Sequence, residues 1–319
     1  MTMAARTWND LVGGVRRGEP RPLARLISQV EDRVPGWEQA MKALYPHSGG
    51  AQVIGITGPP GAGKSSLTNR ITASLVARGH RVGIIAVDPT SPFSGGALLG
   101  DRLRMRDVAT TPGVFIRSMA TRGTLGGLCQ SARDVARILT AAGHDIVLIE
   151  TVGVGHDEIE VVKAAGCVAV VCVPGQGDAV QTLKAGIMEI ADVFVVNKVD
   201  RDGADAVITD IRAMLALAAD KRNETVPVIA TCALTGQGIE PLVEALIAPA
   251  ARAAEVMARH EARVREEILT LVEREIARVV RERWGTNAEL DSTVERVCSG
   301  ELDPYSAAQS VLRSINLKD

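Results

Sequence analysis

An α/β fold is predicted: a doubly wound, mostly parallel sheet with helices on both faces, extended by helical segments at both ends. Three observations predict it. From residue 52 to 249 short β-rich runs alternate with helical patterns, the signature of parallel strands joined by covering helices. The apolar run Val53-Ile-Gly-Ile56 leads directly into Gly58-Pro-Pro-Gly-Ala-Gly-Lys-Ser65, a glycine-rich turn between a strand and a helix. The flanks on either side carry helical periodicity only. The expected domains are a helical segment over 1–49, the sheet domain over 50–249 and a helical arm over 250–319.

Residues 6–45 read as three short amphipathic helices packed on the core. Leu23, Leu26, Ile27 and Val30 lie on one face, and Pro20, Pro22 and Pro35 mark starts or breaks. Strands are expected at 52–57, 82–88, 114–117, 145–150, 168–173, 193–197 and 226–231. Gly79, Gly143 and Gly166 punctuate the helices before the next strand begins. In the run 251–284, Met257, Val264, Ile268, Leu271, Ile276 and Val280 recur at three- and four-residue steps, interrupted by His260 and Glu275. At about 1.5 Å per residue that run makes a helix of about 50 Å, longer than the sheet needs for cover. It reads as a dimerisation or partner arm, the alternative being a long helix lying along the core.

The 319 residues are 46% apolar and 23% charged, with a net charge of -2 and a pI near 6.3. A near-neutral balance argues against a nucleic-acid binder, which needs a basic surface. Cysteines at 129, 167, 172, 232 and 298 lack CxxC spacing and read as reduced, buried thiols of a cytoplasmic protein. The first ten residues hold no apolar signal core, and the longest apolar stretch, Cys167 to Val173, is too short to span a bilayer, so no membrane partner is expected.

The GxxxxGKS spacing at 58–65 predicts a phosphate-binding loop. Gly58, Gly61 and Gly63 let the backbone bend and approach phosphates, so that successive N–H groups and the positive end of the following helix meet negative charge. Lys64 adds a charge between the β- and γ-phosphates, and the Ser65 hydroxyl can ligate Mg2+. Pro60 and Ala62 within the loop and Ser66 in the first helical turn complete this part of the nucleotide site.

Asn197-Lys198-Val199-Asp200 follows the apolar strand Val193–Val196, and NKxD at a strand end is the guanine reader of GTPases. Asp200 would accept from guanine N1–H and the 2-amino group, whereas adenine offers neither donor there, so GTP and GDP are the expected ligands. Asn197 would brace the loop and Lys198 would lie over the base plane. Thr231-Cys232-Ala233-Leu234, at the next strand end, fits the loop whose backbone N–H meets guanine O6.

The segments between these motifs should sense the third phosphate. Asp88 ends a strand and Asp101 closes Gly95–Asp101; both are placed to hold magnesium directly or through water, or else act as a strand-end cap and a helix N-cap respectively. Glu150-Thr-Val-Gly153 follows Asp145–Ile149 in the place of the usual DxxG. Gly153 could donate its N–H to the γ-phosphate, and Glu150 would approach the metal or the attacking water. Val154 stands where many regulatory GTPases have a water-orienting glutamine, so intrinsic hydrolysis should be slow unless Glu150, a neighbour or a partner supplies that positioning. Nearby His156 reads as a surface-loop residue.

Four segments resemble the MeaB/ArgK family: Val87–Met105, Phe115–Gly127, Glu150–Gly155 and Pro174–Gly186, within a likeness running over about residues 50–240. The resemblance implies a homodimeric GTPase, related to the nickel-inserting chaperones of urease and hydrogenase. It would attend an adenosylcobalamin-dependent acyl-CoA mutase, above all methylmalonyl-CoA mutase, gating cofactor loading and protecting the enzyme from inactivation. It further implies magnesium contacts from Ser65, Asp88, Asp101 and Glu150, and a nucleotide-responsive loop near 175–184 in which Asp178, Gln181 and Lys184 match the family pattern. The family's usual ETVGVGQ is replaced here by Glu150-Thr-Val-Gly-Val-Gly-His156-Asp157, which makes Glu150 the stronger candidate for placing water.

Three rival functions remain open: a kinase, which the family it resembles has been labelled in connection with basic amino-acid transport, a nickel-insertion GTPase and a scaffold that binds GTP without turnover. The kinase needs an acceptor pocket that the sequence does not display. The nickel reading lacks a His-rich tract or paired Cys/His motif beside the nucleotide site.

Overall fold

Among the described residues seven strands, each a near-continuous run of Val, Ile and other apolar residues, form a central sheet: β1 (Gln52–Thr57), β2 (Val82–Asp88), β3 (Val114–Ala120), β4 (Ile146–Thr151), β5 (Cys167–Cys172), β6 (Val193–Asn197) and β7 (Val228–Thr231). The computed structural model describes residues 3–88, 108, 110–120, 127–151, 164–175, 191–218, 226–248, 253–284 and 288–314. All strand pairs are parallel, in the order β3-β2-β4-β1-β5-β6-β7. The chain builds outward from β1 to β3, returns through β4, and then builds the other half through β5 to β7. Winding therefore reverses around β1, and a crevice opens at the carboxyl ends of the central strands.

Both faces of this sheet are buried, which is why the strands are not alternating in polarity. Ile54 and Ile56 of β1, Ile84 of β2, Leu148 of β4, Val171 of β5 and Val195 of β6 point to one face. There they meet Leu67, Ile71 and Leu75 of α4 (Lys64–Ala77) and Leu242, Val243 and Leu246 of α7 (Ile239–Ile247). The opposite face is covered in two parts. Ile85, Val147 and Ile149 pack with α5 (Gly127–Ala141) and with α1 (Met3–Arg16), α2 (Pro20–Glu31) and α3 (Trp37–Leu44). Val168, Val170, Phe194 and Val196 pack with Val207 and Ile211 of α6 (Ala204–Ala218).

The three N-terminal helices thus complete the core. Leu23, Leu26, Ile27 and Val30 are all at most 1% exposed, and Pro20 opens α2 at its first position. Polar ties fix them too: Arg117 of β3 donates to Glu31 and Ser28 of α2, and Arg33 donates to the buried carboxylate of Asp134 on α5. β3 is longer than expected from sequence, because Ser118-Met-Ala120 continue the ladder against Ala86–Asp88 after the apolar pattern has ended.

Residues 1–251 form one compact unit and 252–319 a second. The second contains α8 (Ala253–Trp284), of 32 residues, α9 (Ala288–Cys298) and α10 (Pro304–Ser314). Arg278 pairs with Glu275 and Glu282 one turn either side along α8. Asp303 caps α10 by accepting from the Tyr305 and Ser306 amides, each at 2.9 Å. Among the described residues no helix is long and apolar enough to cross a membrane. All five cysteines are free. Burial pushes the Cys172 thiol up to about 12, keeping it inert. The expectation of buried thiols fails at Cys298, which is exposed at the end of α9, and Cys167 is only half-buried.

Candidate functional site

Residues 58–63 form the loop between β1 and α4, and its glycines are dictated by close approach. Gly58 has φ +142°, and a Cβ there would stand 2.2 Å from the Val171 carbonyl oxygen of β5. Gly63, at φ +87°, caps α4 in the left-handed region, and its Cβ would meet Asn197 Nδ2 at 2.5 Å. Ala62 is buried, while Pro60, Gly61 and Ser66 are exposed along the rim.

Lys64 begins α4 and is only 5% exposed. Its ammonium donates to the loop's own carbonyls, Gly58 O at 2.7 Å and Pro59 O at 2.9 Å. A buried charge needs such partners, since without them its desolvation would cost several kcal/mol, on the order of the penalty for any unpaired buried ion. The next residue, Ser65, donates its hydroxyl to Glu150 Oε1 at 2.5 Å. Glu150 reaches this point because β4 runs beside β1 with Glu150 opposite Ile56, one residue before the strand ends at Thr151. Thr151 in turn donates to Thr57 at 3.1 Å, tying the ends of the two strands under the loop. Ser65 and Glu150 therefore present hard oxygen donors side by side, the kind of set that magnesium takes when it keeps several waters.

The other end of the crevice is built on β6 and β7. Asn197, 1% exposed, donates from Nδ2 to Ala62 O at 2.8 Å, and its Oδ1 accepts from the Ala233 amide and the Thr231 hydroxyl, each at 3.2 Å. One side chain thus joins the glycine-rich loop to the loop after β7. Lys198 has φ +61°, a strained conformation for a lysine, and from it donates Nζ to Gly61 O at 2.6 Å. Asp200 is exposed at the crevice and accepts from the Cys232 thiol at 3.2 Å. Leu234 is 77% exposed beside them.

The structure thus brings Lys64, Ser65 and Glu150 together at one end and Asn197, Lys198, Asp200, Cys232, Ala233 and Leu234 at the other, joined through Ala62 and Gly61. Asp88 is the last residue of β2, in the strand beside Glu150; its side chain lies outside the described residues. Asp101, Gly153, His156, Asp178, Gln181 and Lys184 also lie outside them. One neighbour is absent from the sequence reading. Arg70, on α4, donates Nε to Ala233 O at 2.9 Å and an Nη to Leu234 O at 2.8 Å. Its position less than two turns after Lys64 was the available signal.

The sequence model described as methylmalonyl Co-A mutase-associated GTPase MeaB matches residues 23–287. The chain belongs to the MeaB family. A protein of Pyrococcus abyssi named as a GTPase is 44% identical over 313 residues, 96% of each chain. The GTPase ArgK of Escherichia coli is 39% identical over 249 residues, covering 76% of this chain and 75% of that one. The mouse protein named methylmalonic aciduria type A homolog, mitochondrial, is 31% identical over 268 residues, 82% of this chain and 65% of that one. Among solved structures, one described as LAO/AO transport system kinase has a TM-score of 0.69 at 26% identity and covers 99% of both chains. This MeaB-family chain is a guanine-nucleotide-binding GTPase with the seven-stranded parallel fold of that neighbour.

Proposed function

We propose that this GTPase is a chaperone for an adenosylcobalamin-dependent acyl-CoA mutase, with methylmalonyl-CoA mutase as its client, gating cofactor loading and protecting the enzyme from inactivation. The observation that carries the reading is membership of a family described by its association with that mutase, over residues 23–287. The likeness to the mouse methylmalonic aciduria type A homolog supports it.

In this reading the nucleotide lies along the crevice. Its phosphates take the amides of 58–63 and the Lys64 ammonium, which gives up Gly58 O and Pro59 O in exchange. Asp200 reads guanine N1–H and the 2-amino group, Lys198 covers the base, and the Ala233 amide lies within reach of O6. Ser65 and Glu150, with Asp88 and Asp101, would hold magnesium. When bound, that ion supplies charge neutralisation between the phosphates. Glu150 also orients the attacking water, in the absence of a glutamine after Gly153. Intrinsic turnover is slow, and the client accelerates it. Contact with the γ-phosphate orders the loops at 89–101, 151–157 and 175–184, with Asp178, Gln181 and Lys184 relaying the state to the client; hydrolysis releases them.

The protein acts in the cytoplasm as a homodimer. Ile268, Leu271 and Val272 fall at three- and four-residue steps along α8 and are 55%, 41% and 49% exposed, an apolar stripe suited to a second copy of the same helix. A kinase reading has in its favour the solved neighbour described as a transport system kinase. One experiment separates the two: purified protein and cobalamin-loaded mutase are incubated with GTP or a nonhydrolysable analogue. Faster release of free phosphate and longer mutase lifetime with GTP are expected. Phosphorylated product in place of free phosphate would favour the kinase, and an unchanged mutase lifetime would refute the chaperone.

A further inference from the structure

One face of α4 carries a polar ladder at four-residue steps. Arg70 reaches the carbonyls of Ala233 and Leu234, Ser74 donates to Glu240 at 2.7 Å, and Arg78 pairs with Glu240 and Glu244. The helix that starts at Lys64 is thereby bonded along its length to the loop after β7 and to the helix that follows it. At the loop the hold is specific. The Ala233 amide is fixed by Asn197 Oδ1 and the Ala233 carbonyl by Arg70, so the peptide units on both sides of its Cα are oriented. Leu234, at 77% exposure, gets no anchorage from burial of its side chain. Its place is set through its own carbonyl, which takes the second arm of the same guanidinium.

We propose that Arg70 is a positioning residue for guanine recognition: its fork clamps two successive carbonyls and so holds the Ala233 amide, which donates to Asn197 Oδ1 here, where it can turn its one hydrogen to O6 of the base. A guanidinium suits this task because its donors lie in a fixed plane and can serve two acceptors at once, whereas an ammonium is a single point. The inference rests on the reading that the loop 231–234 meets the guanine. It adds that base affinity is set partly from the phosphate helix, without Arg70 touching the ligand.

The test compares three diphosphates on the full-length chain by titration. Inosine diphosphate lacks the 2-amino group and reports Asp200. In 6-thioguanosine diphosphate a bulkier, weaker-accepting sulfur replaces O6, and this ligand reports the loop. Wild-type protein should prefer GDP to both. Arg70→Ala should weaken GDP by about tenfold, the scale of one or two lost loop-orienting hydrogen bonds. In that variant the preference for GDP over the thio analogue should collapse toward one, while the preference over inosine diphosphate persists. Arg70→Lys should recover part of the loss, and with Arg70→Gln it carries the test if the alanine variant melts early. A thio preference kept intact in these variants overturns the role of Arg70. A wild-type protein blind to the thio substitution overturns the reading of the loop itself.

Discussion

The two ends of the crevice are built differently. At the base end, side chains brace the loops: Asn197 holds the Ala62 carbonyl and the Ala233 amide, and Arg70 holds the carbonyls of Ala233 and Leu234, which a nucleotide does not need. At the phosphate end, the groups meant for ligand are bonded to each other or to their own loop, Lys64 to Gly58 and Pro59, and Ser65 to Glu150. In the proposed reading, binding keeps the bonds of Arg70 and of Asn197 to Ala62 at the base end and exchanges the partners of Lys64 and Ser65 at the phosphate end. In the proposed function the base end sets which nucleotide enters, and the phosphate end sets what happens next.

The largest effect should come from Lys64→Ala. Charge-assisted bonds contribute about 1.5–3 kcal/mol each, so loss of the ammonium should lower GTP affinity by on the order of 100-fold or more and abolish turnover in a phosphate-release assay. Undiminished affinity would break the assignment of the phosphate end. Glu150→Gln keeps an oxygen to accept from Ser65 while removing the carboxylate. Single-turnover hydrolysis should slow by on the order of 100-fold, with GDP affinity little changed. A variant that loses GDP binding instead would show that the two ends are not separable in this way.

At the base end, Asp200→Asn should turn preference from guanosine to xanthosine nucleotides, shifting the affinity ratio by on the order of 100-fold, because the new amide donates where xanthine has a carbonyl. Competition binding reads the ratio. Asn197→Ala should act at both ends, since it removes three bonds that join them; a loss of about 2–3 kcal/mol in denaturant unfolding should accompany weaker GDP binding. The smallest effect on the crevice belongs to α8. If the proposed homodimer forms through this helix, Ile268→Asp should raise its dissociation constant in sedimentation while leaving GDP affinity within about twofold, since Ile268 belongs to the second compact unit and every crevice residue named above to the first.

The sheet was legible because strands buried on both faces write themselves as unbroken apolar runs. Six strand positions follow from that pattern within a residue or two, and only β3 extends past its apolar signal, where pairing with β2 rather than composition sets its length. The shape of the glycine-rich loop was legible for a different reason: the spacing of Gly58, Gly63, Lys64 and Ser65 is imposed by local backbone geometry. What sequence hid is tertiary pairing. The place of Arg70 less than two turns after Lys64 puts it near the loop but does not name a carbonyl 163 residues away as its partner, and nothing near Arg117 announces Glu31.

The most direct measurement is calorimetric titration of the magnesium-supplied, full-length protein with GTP and with ATP. One guanosine nucleotide should bind per chain, with ATP weaker by on the order of 100-fold, since adenine leaves the Asp200 carboxylate facing no donor. Absence of GTP uptake, or equal uptake of the two, would contradict a site that clasps phosphate at Lys64 and reads guanine at Asp200.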